Sequence, residues 1–353
     1  MNDALAEWNC FFAPQGTGVG RNFQIIRKRG ETLLLLPMCA TTAARCLSLY
    51  PAQTLTARTA RVALRLALLA RVPLPRVRLP WDDSAPLSAF LREQSGHKEP
   101  EFGILLGNPR AEGRRWMIAL FSNGQPHRVV KAGVTSRARE LIATEAVCLA
   151  SLPLALTGKP TVRGTLGDTA LALDFAPGHA PRSFDHRFAA LLSSWLDTSR
   201  HATLANIPAW KRVRASAADP EMVARIERGI GEFHPTVMHG DFAPWNIRVS
   251  RERVTVLDWE RGELTGVPGW DWLHYAVQTR VLVARKNAQQ TLAEVRTITR
   301  GSEFQQFAQI SKIVGREAEL LISYLLHATE VTRQVDGIET MRELLTLSLR
   351  TDT

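Results

Sequence analysis

Between Val237 and Asp271 the chain reads VMHGDFAPWNIRVSRERVTVLDWERGELTGVPGWD, and this stretch constrains the fold more than any other. Val237 and Met238 lead into His239-Gly240-Asp241, where the glycine permits a sharp turn that presents a carboxylate. Ile247 and Val249, then Val254, Val256 and Leu257, form two short strands around the polar turn Ser250–Arg253, a hairpin. The strands of a hairpin run side by side. Asn246 opens the first and Asp258 closes the second, so both lie at the same end, with Asp241 just upstream. Two carboxylates and an amide oxygen converging there make a hard-oxygen site suited to Mg²⁺, with the remaining carboxylate free to act as a base.

The flanking sequence predicts a mixed fold. Leu33–Leu36 reads as a short buried strand ended by Pro37, and Leu55 to Ala70 as a helix that stops before Pro73. On that helix Leu55, Val62, Leu66 and Leu69 share one side, while Arg58, Arg61 and Arg65 line the neighbouring side. The expected arrangement is a packed apolar stripe beside a solvated arginine face; an anion-binding or membrane-surface helix is the other reading. Pro73–Trp81 reads as a proline-punctuated connector. From Glu101 onward, Phe102–Gly107, Arg114–Ser122 and His127–Gly133 predict three antiparallel strands, followed by a helix from Arg137 that Pro153 stops. Ala170–Pro181 gives a short strand running into a Gly/Pro turn, and the rest is mostly helical, as in Phe184–Trp195 and Glu317–Thr332.

The residues from His239 to Glu260 resemble a known family. His239-Gly240-Asp241 followed by Asn246, then Leu257-Asp258-Trp259-Glu260, is similar to the HGDxxxxN and (I/L)DW(E/G) motifs of the aminoglycoside phosphotransferase and choline kinase superfamily. The resemblance is strongest over residues 230–280 and extends to about 100–353. It implies an α+β, bilobal, protein-kinase-like fold: an N-terminal extension over 1–95, a small antiparallel-sheet, nucleotide-binding lobe over 96–175, and a larger helical catalytic and substrate lobe over 176–353.

It also implies roles. Asp241 would be the catalytic base that accepts the proton of a substrate hydroxyl, and Asn246 and Asp258 the Mg²⁺ ligands that clamp the β- and γ-phosphates of ATP. His239 is expected to hydrogen-bond backbone rather than move protons, and Asp271 to cap a helix or brace the catalytic loop. Lys131, on the third strand, would contact the α/β-phosphates and pair with a Glu of the next helix. Glu140 and Glu145 are both available there, and the apolar neighbours of Glu145 favour it. Gly107 and Gly113 would bracket the phosphate loop, with Arg110, Arg114 or Arg115 supplementing its amides; a plain β-turn is an equal reading, since no G-x-G-x-x-G is present. Backbone around Asp174 and Phe175 would hold the adenine.

Composition narrows the class. The four cysteines, Cys10, Cys39, Cys46 and Cys148, are too few and wrongly spaced for a disulfide scaffold or structural zinc, which points to a reducing, cytoplasmic setting. The start lacks the apolar run of a secretory signal, and the most apolar window is too short to span a bilayer. Lys and Arg number 44 against 34 Asp and Glu, a net charge of +10. That charge fits poorly with an acidic cleft for a polycationic antibiotic, so a sugar, a sugar-containing metabolite or another neutral or anionic hydroxyl compound is favoured. No aromatic-interleaved basic patch points to nucleic acid. The alternative is a pseudokinase-like binding or scaffold module with a basic N-terminal extension, against which stands the presence of Lys131, Asp241, Asn246 and Asp258 together.

Overall fold

Strand-forming runs in the first 95 residues need ladder partners for their backbone, and they find them in the strands that follow. The computed structural model describes residues 2–13, 15, 18–28, 30–50, 52, 55–107, 113–181, 183–217, 219–332 and 337–351. Two compact units divide the chain, Met1–Ala150 with Pro160–Ala176, and Ser151–Lys159 with Pro177–Thr353.

The first unit begins with α1 (Asn2–Phe12), β1 (Val19–Lys28), β2 (Glu31–Leu36), α2 (Ala40–Cys46), α3 (Leu55–Leu69), β3 (Arg76–Trp81) and α4 (Pro86–Ser95). It continues with β4 (Glu101–Leu105), β5 (Trp116–Ser122), β6 (Gln125–Ala132), α5 (Ser136–Ser151), β7 (Val162–Leu166) and β8 (Ala170–Asp174). All eight strands form one antiparallel sheet in the order β3-β1-β2-β4-β5-β6-β8-β7. The strands of the first 95 residues therefore continue the sheet begun by those that follow, through Leu34 opposite Leu105 and Leu35 opposite Ile104. One face carries an aromatic core of Trp8, Phe12, Phe23, Trp81, Phe102 and Trp116, with Phe12 stacked on Trp81 at 4.8 Å between ring centres. The other face packs Leu34, Leu36 and Phe121 against Ala43, Leu47 and Leu68 of the α2–α3 region.

Two expectations fail here. The Pro73–Trp81 stretch does not remain a connector, because Arg76–Trp81 pairs with β1 along its length. Pro80 is tolerated there since β3 lies at the sheet edge, where a missing N–H interrupts no second ladder. The apolar stripe of α3 is also not packed: Val62, Leu66 and Leu69 are exposed, and Leu64 and Leu68 turn inward instead. Arg58 and Arg61 lie towards the protein, where Nε of Arg58 donates to the Ala52 carbonyl at 3.3 Å and Nη1 of Arg61 to that of Tyr50 at 3.2 Å.

The second unit is mainly helical. Its elements are α6 (His186–Ser194), β9 (Ala202–Thr203), α7 (Pro208–Ser216), α8 (Pro220–Ile230), β10 (Glu232–Phe233), β11 (Thr236–Met238), β12 (Ile247–Val249), β13 (Val254–Val256) and β14 (Glu263–Gly266). They are followed by α9 (Trp270–Gln278), α10 (Ala288–Thr299), α11 (Ser302–Ser311), α12 (Glu317–Leu326) and α13 (Ile338–Thr351). Every residue of α9 is buried, as is α12 from Leu320 to Leu326, so these two helices form the centre of the unit. An antiparallel-sheet unit and a helical unit together make the α+β fold that the sequence implies. Among the described residues no helix is long and apolar enough to cross a membrane.

Candidate active site

In the helical unit the predicted residues gather around one turn. β11 ends at Met238, and Gly240 takes a left-handed φ of 77° to reverse the chain. A side chain there would place Cβ 2.6 Å from the backbone oxygen of Arg261, so only glycine fits. His239 is fully buried and bonded to backbone on both sides: Nδ1 accepts from the Asp241 N–H at 3.2 Å, and Nε2 lies 2.7 Å from the Leu257 carbonyl. With Nδ1 accepting and Nε2 donating, the ring is neutral and serves as a strut from the turn to the end of β13. Asp271, in the first turn of α9, completes the brace. Its Oδ2 accepts from the His239 N–H at 2.7 Å and its Oδ1 from the Gly240 N–H at 2.9 Å. Asp271 thus holds the loop rather than capping its own helix, whose N-cap is Gly269.

Asp241 is held through both carboxylate oxygens. Nδ2 of Asn246 donates to its Oδ2 at 2.9 Å and to its backbone oxygen at 3.0 Å. On the other side Nε2 of His274 lies 2.9 Å from Oδ1, and Nδ1 of that ring lies 3.1 Å from the Tyr324 hydroxyl. Burial works against the charged carboxylate. The bond and positive field from His274, with the field of Arg261, outweigh it and hold the Asp241 carboxyl below its ordinary value. Burial pushes the Tyr324 phenol up, so its hydroxyl stays protonated behind the His274 ring.

The hairpin closes as the spacing predicts: Ile247 pairs with Val256, and the Leu257 N–H donates to the Asn246 carbonyl at 2.7 Å. Asp258 follows with a left-handed φ of 62°, a conformation that Asp tolerates better than most residues and that turns the chain out of the strand. Asn246 and Asp258 consequently lie at one end of the hairpin. The Asn246 amide nitrogen is donated to Asp241, which leaves its oxygen as the acceptor end of the side chain. An amide oxygen and a carboxylate are the donors Mg²⁺ prefers.

In the sheet unit, Lys131 of β6 and Glu145 of α5 form a buried bidentate pair, with Nζ 2.7 Å and 2.6 Å from the two carboxylate oxygens. Glu140 instead pairs with Arg137 at the surface, at 3.0 Å. Gly107 has a left-handed φ of 76°, and a Cβ there would lie 2.8 Å from the Arg115 backbone oxygen. Gly113 packs against Leu141 of α5, which a Cβ would approach to 2.5 Å. Residues 108–112, including Arg110, lie outside the described residues. Arg114 does not present its charge to a ligand, because it forms an ion pair with Glu7 of α1, which also accepts from the Trp116 indole at 2.8 Å.

At the strand end, Asp174 and Phe175 use their backbone N–H groups within the sheet unit. The Asp174 N–H donates to the Thr161 carbonyl and the Phe175 N–H to that of His127, at 2.9 and 3.0 Å, so neither is offered to an adenine. The Asp174 carboxylate binds Arg128 and takes two bonds from Arg163, at 2.9 and 2.6 Å, which lock β6, β7 and β8 together.

Sequence reading missed His274, Tyr324 and this arginine clasp. His274 could have been found, since it lies three residues after Asp271 and hence on the same face of a helix. Tyr324 lies fifty positions further on. No local pattern pairs it with His274.

The sequence pattern of the phosphotransferase enzyme family matches residues 50–271. The chain belongs to that family. No curated protein sequence matches the chain significantly. Among solved structures, macrolide 2'-phosphotransferase MphH from Brachybacterium faecium is 18% identical, covering 74% of this chain and 98% of its own with a TM-score of 0.44. A thermostable mutant of aminoglycoside phosphotransferase APH(4)-Ia, in its apo form, is 14% identical, with coverage of 75% and 99% and a TM-score of 0.41. The streptomycin-ATP-APH(2")-IIa ternary complex is 14% identical, with coverage of 74% and 96% and a TM-score of 0.40.

Proposed function

We propose that the chain is an ATP- and Mg²⁺-dependent kinase that phosphorylates a hydroxyl group of a small molecule. The observation that carries this reading is the Asp241 carboxylate, ionised and aimed by His274 and Asn246 on a turn that Asp271 braces. In phosphoryl transfer the protein contributes mainly position and charge, and a fixed carboxylate is what takes the proton of an attacking hydroxyl. Asn246 and Asp258 would hold Mg²⁺, which when bound neutralises phosphate charge. Lys131, kept straight by Glu145, contacts the α/β-phosphates, and Gly107 and Gly113 let backbone approach them. Near Phe175 the backbone N–H is already donated, so what that residue offers an adenine is its carbonyl. Sugars and sugar-containing metabolites are the first acceptors to try, because a basic protein does not gather polycations.

The test is thermal unfolding with ATP, with and without Mg²⁺, followed by ADP release in the presence of neutral sugars. Ligand at a hundred times its Kd stabilises by about 2.7 kcal/mol, a shift of a few degrees. That shift should need Mg²⁺ and vanish in Asp258→Ala, and ADP release should vanish in Asp241→Asn. Stabilisation by ATP without ADP release for any acceptor would favour a binding module. No stabilisation at all would overturn the nucleotide site.

A further inference from the structure

Helix α3 exposes what an amphipathic helix ordinarily buries. Val62, Leu66 and Leu69 are 57, 62 and 46% exposed, and Val72, just past the helix end, is 49% exposed. Spaced four and three apart, the helical three form one continuous stripe along the outer side. Arg65 borders it on one side; Thr59, Ala63 and Ala70, all small and exposed, border it on the other and leave the stripe standing proud.

The stretch of chain that carries the stripe is charged with one sign only. Between Glu31 and Asp82 the sequence contains no Asp or Glu but has Arg45, Arg58, Arg61, Arg65, Arg71, Arg76 and Arg78. Arg65, Arg71, Arg76 and Arg78 are exposed. In β3 the residues Val77, Leu79 and Trp81 point to the aromatic core, so by strand alternation Arg76 and Arg78 point to the opposite face, where α3 lies. An apolar ridge and an arginine field thus share one side of the sheet unit.

We propose that this face is a docking surface for an anionic lipid bilayer, on which α3 lies in the plane of the headgroups. Apolar side chains entering the acyl boundary and arginines held at the phosphates are the two contributions that keep an interfacial helix on a membrane, and neither alone suffices. A second copy of this chain fits worse, because it would set like charges face to face. A nucleic acid would leave the aliphatic ridge unused, and the ridge offers no aromatic ring on which a base could stack. The surface is independent of the phosphotransfer reading.

The full-length chain can be sedimented with vesicles of phosphatidylcholine alone or mixed with phosphatidylglycerol. Binding to the mixed vesicles, weakened by salt and absent from phosphatidylcholine alone, is expected. Leu66→Asp and the double substitution Arg65→Gln/Arg71→Gln should each reduce it roughly tenfold or more. Both alter exposed side chains, so their unfolding temperatures should match the wild type. Soluble heparin provides the control for charge alone, and Leu66→Asp should still bind it. Failure to bind mixed vesicles overturns the proposal. So does a Leu66→Asp variant that binds them like the wild type, or a wild-type dimer that Leu66→Asp converts to monomer without vesicle binding.

Discussion

His274 Nε2 lies 2.9 Å from the Asp241 carboxylate, and the Tyr324 hydroxyl lies 3.1 Å behind the other nitrogen of the same ring. The three residues come from the turn, α9 and α12, so the direction of the carboxylate is set by the packing of two central helices. His274→Ala should leave ATP-dependent stabilisation intact and lower the rate of ADP release about 10- to 100-fold, as misplacement of a reacting group does. His274 also helps hold the Asp241 carboxyl low, against burial. Without it the folded pKa rises, so the acid limb of the rate profile should move to higher pH in His274→Ala. Unchanged kcat and an unchanged limb would show that Asn246 alone aims the carboxylate.

The Asp271 brace should show in stability as well as rate. Asp271→Ala leaves the buried His239 N–H and the half-buried Gly240 N–H without their acceptor, a loss of about 1–3 kcal/mol for the buried group and less for the other. Urea unfolding should show a lowered midpoint with little change in slope. A stability equal to wild type would mean that water replaces the carboxylate at the turn.

Lys131 and Glu145 should behave non-additively. Glu145→Gln removes the carboxylate charge that holds the buried Lys131 ammonium on two oxygens, and breaking a buried pair in this way typically costs about 3–5 kcal/mol. The double substitution Lys131→Met/Glu145→Leu removes both charges and should be more stable than either single variant, while binding no ATP. A double-mutant cycle by chemical denaturation decides it; additive losses would place the two groups in separate environments.

His327 gives the acid side of the stability curve. It is buried against Trp270 at 4.7 Å between ring centres, and burial, with help from the fields of Arg212, His274 and Arg261, lowers its pKa to about 3. The unfolded chain therefore takes up a proton near pH 6.5 that the folded chain refuses until about pH 3. Stability is complete above the unfolded value. It falls by up to about 1.4 kcal/mol for each pH unit as pH drops through this window. His327→Gln should flatten the dependence between pH 7 and 5, measured as the urea midpoint. A wild-type midpoint that does not move would refute the assignment.

The sequence reveals whatever is local. The turn at Gly240, the hairpin from Asn246 to Asp258, β5, β6 and α5 all follow from spacing within about twenty residues, and Lys131 stands out among few lysines. Long-range relationships are hidden. The edge strand β3 is disguised by Pro80, which its edge position allows, and by Pro73 and Pro75 just ahead of it. The inward side of α3 cannot be told from its pattern, because Leu64 and Leu68 offer a second, less obvious stripe. The clasp of Asp174 by Arg128 and Arg163 joins three strands. Many arginines could have supplied it.

The family pattern starts at residue 50, after β1 and β2, yet β2 covers the edge of β4 and β1 carries Phe23 into the aromatic core. Homology and foldability therefore have different borders in this chain. A protein cut at the family boundary would expose the backbone of β4 as a template for pairing between molecules, and would leave Trp81 and Phe102 without Phe12 and Phe23. It should collect as aggregate rather than as a smaller kinase lobe, and any screen for activity must begin from the whole length.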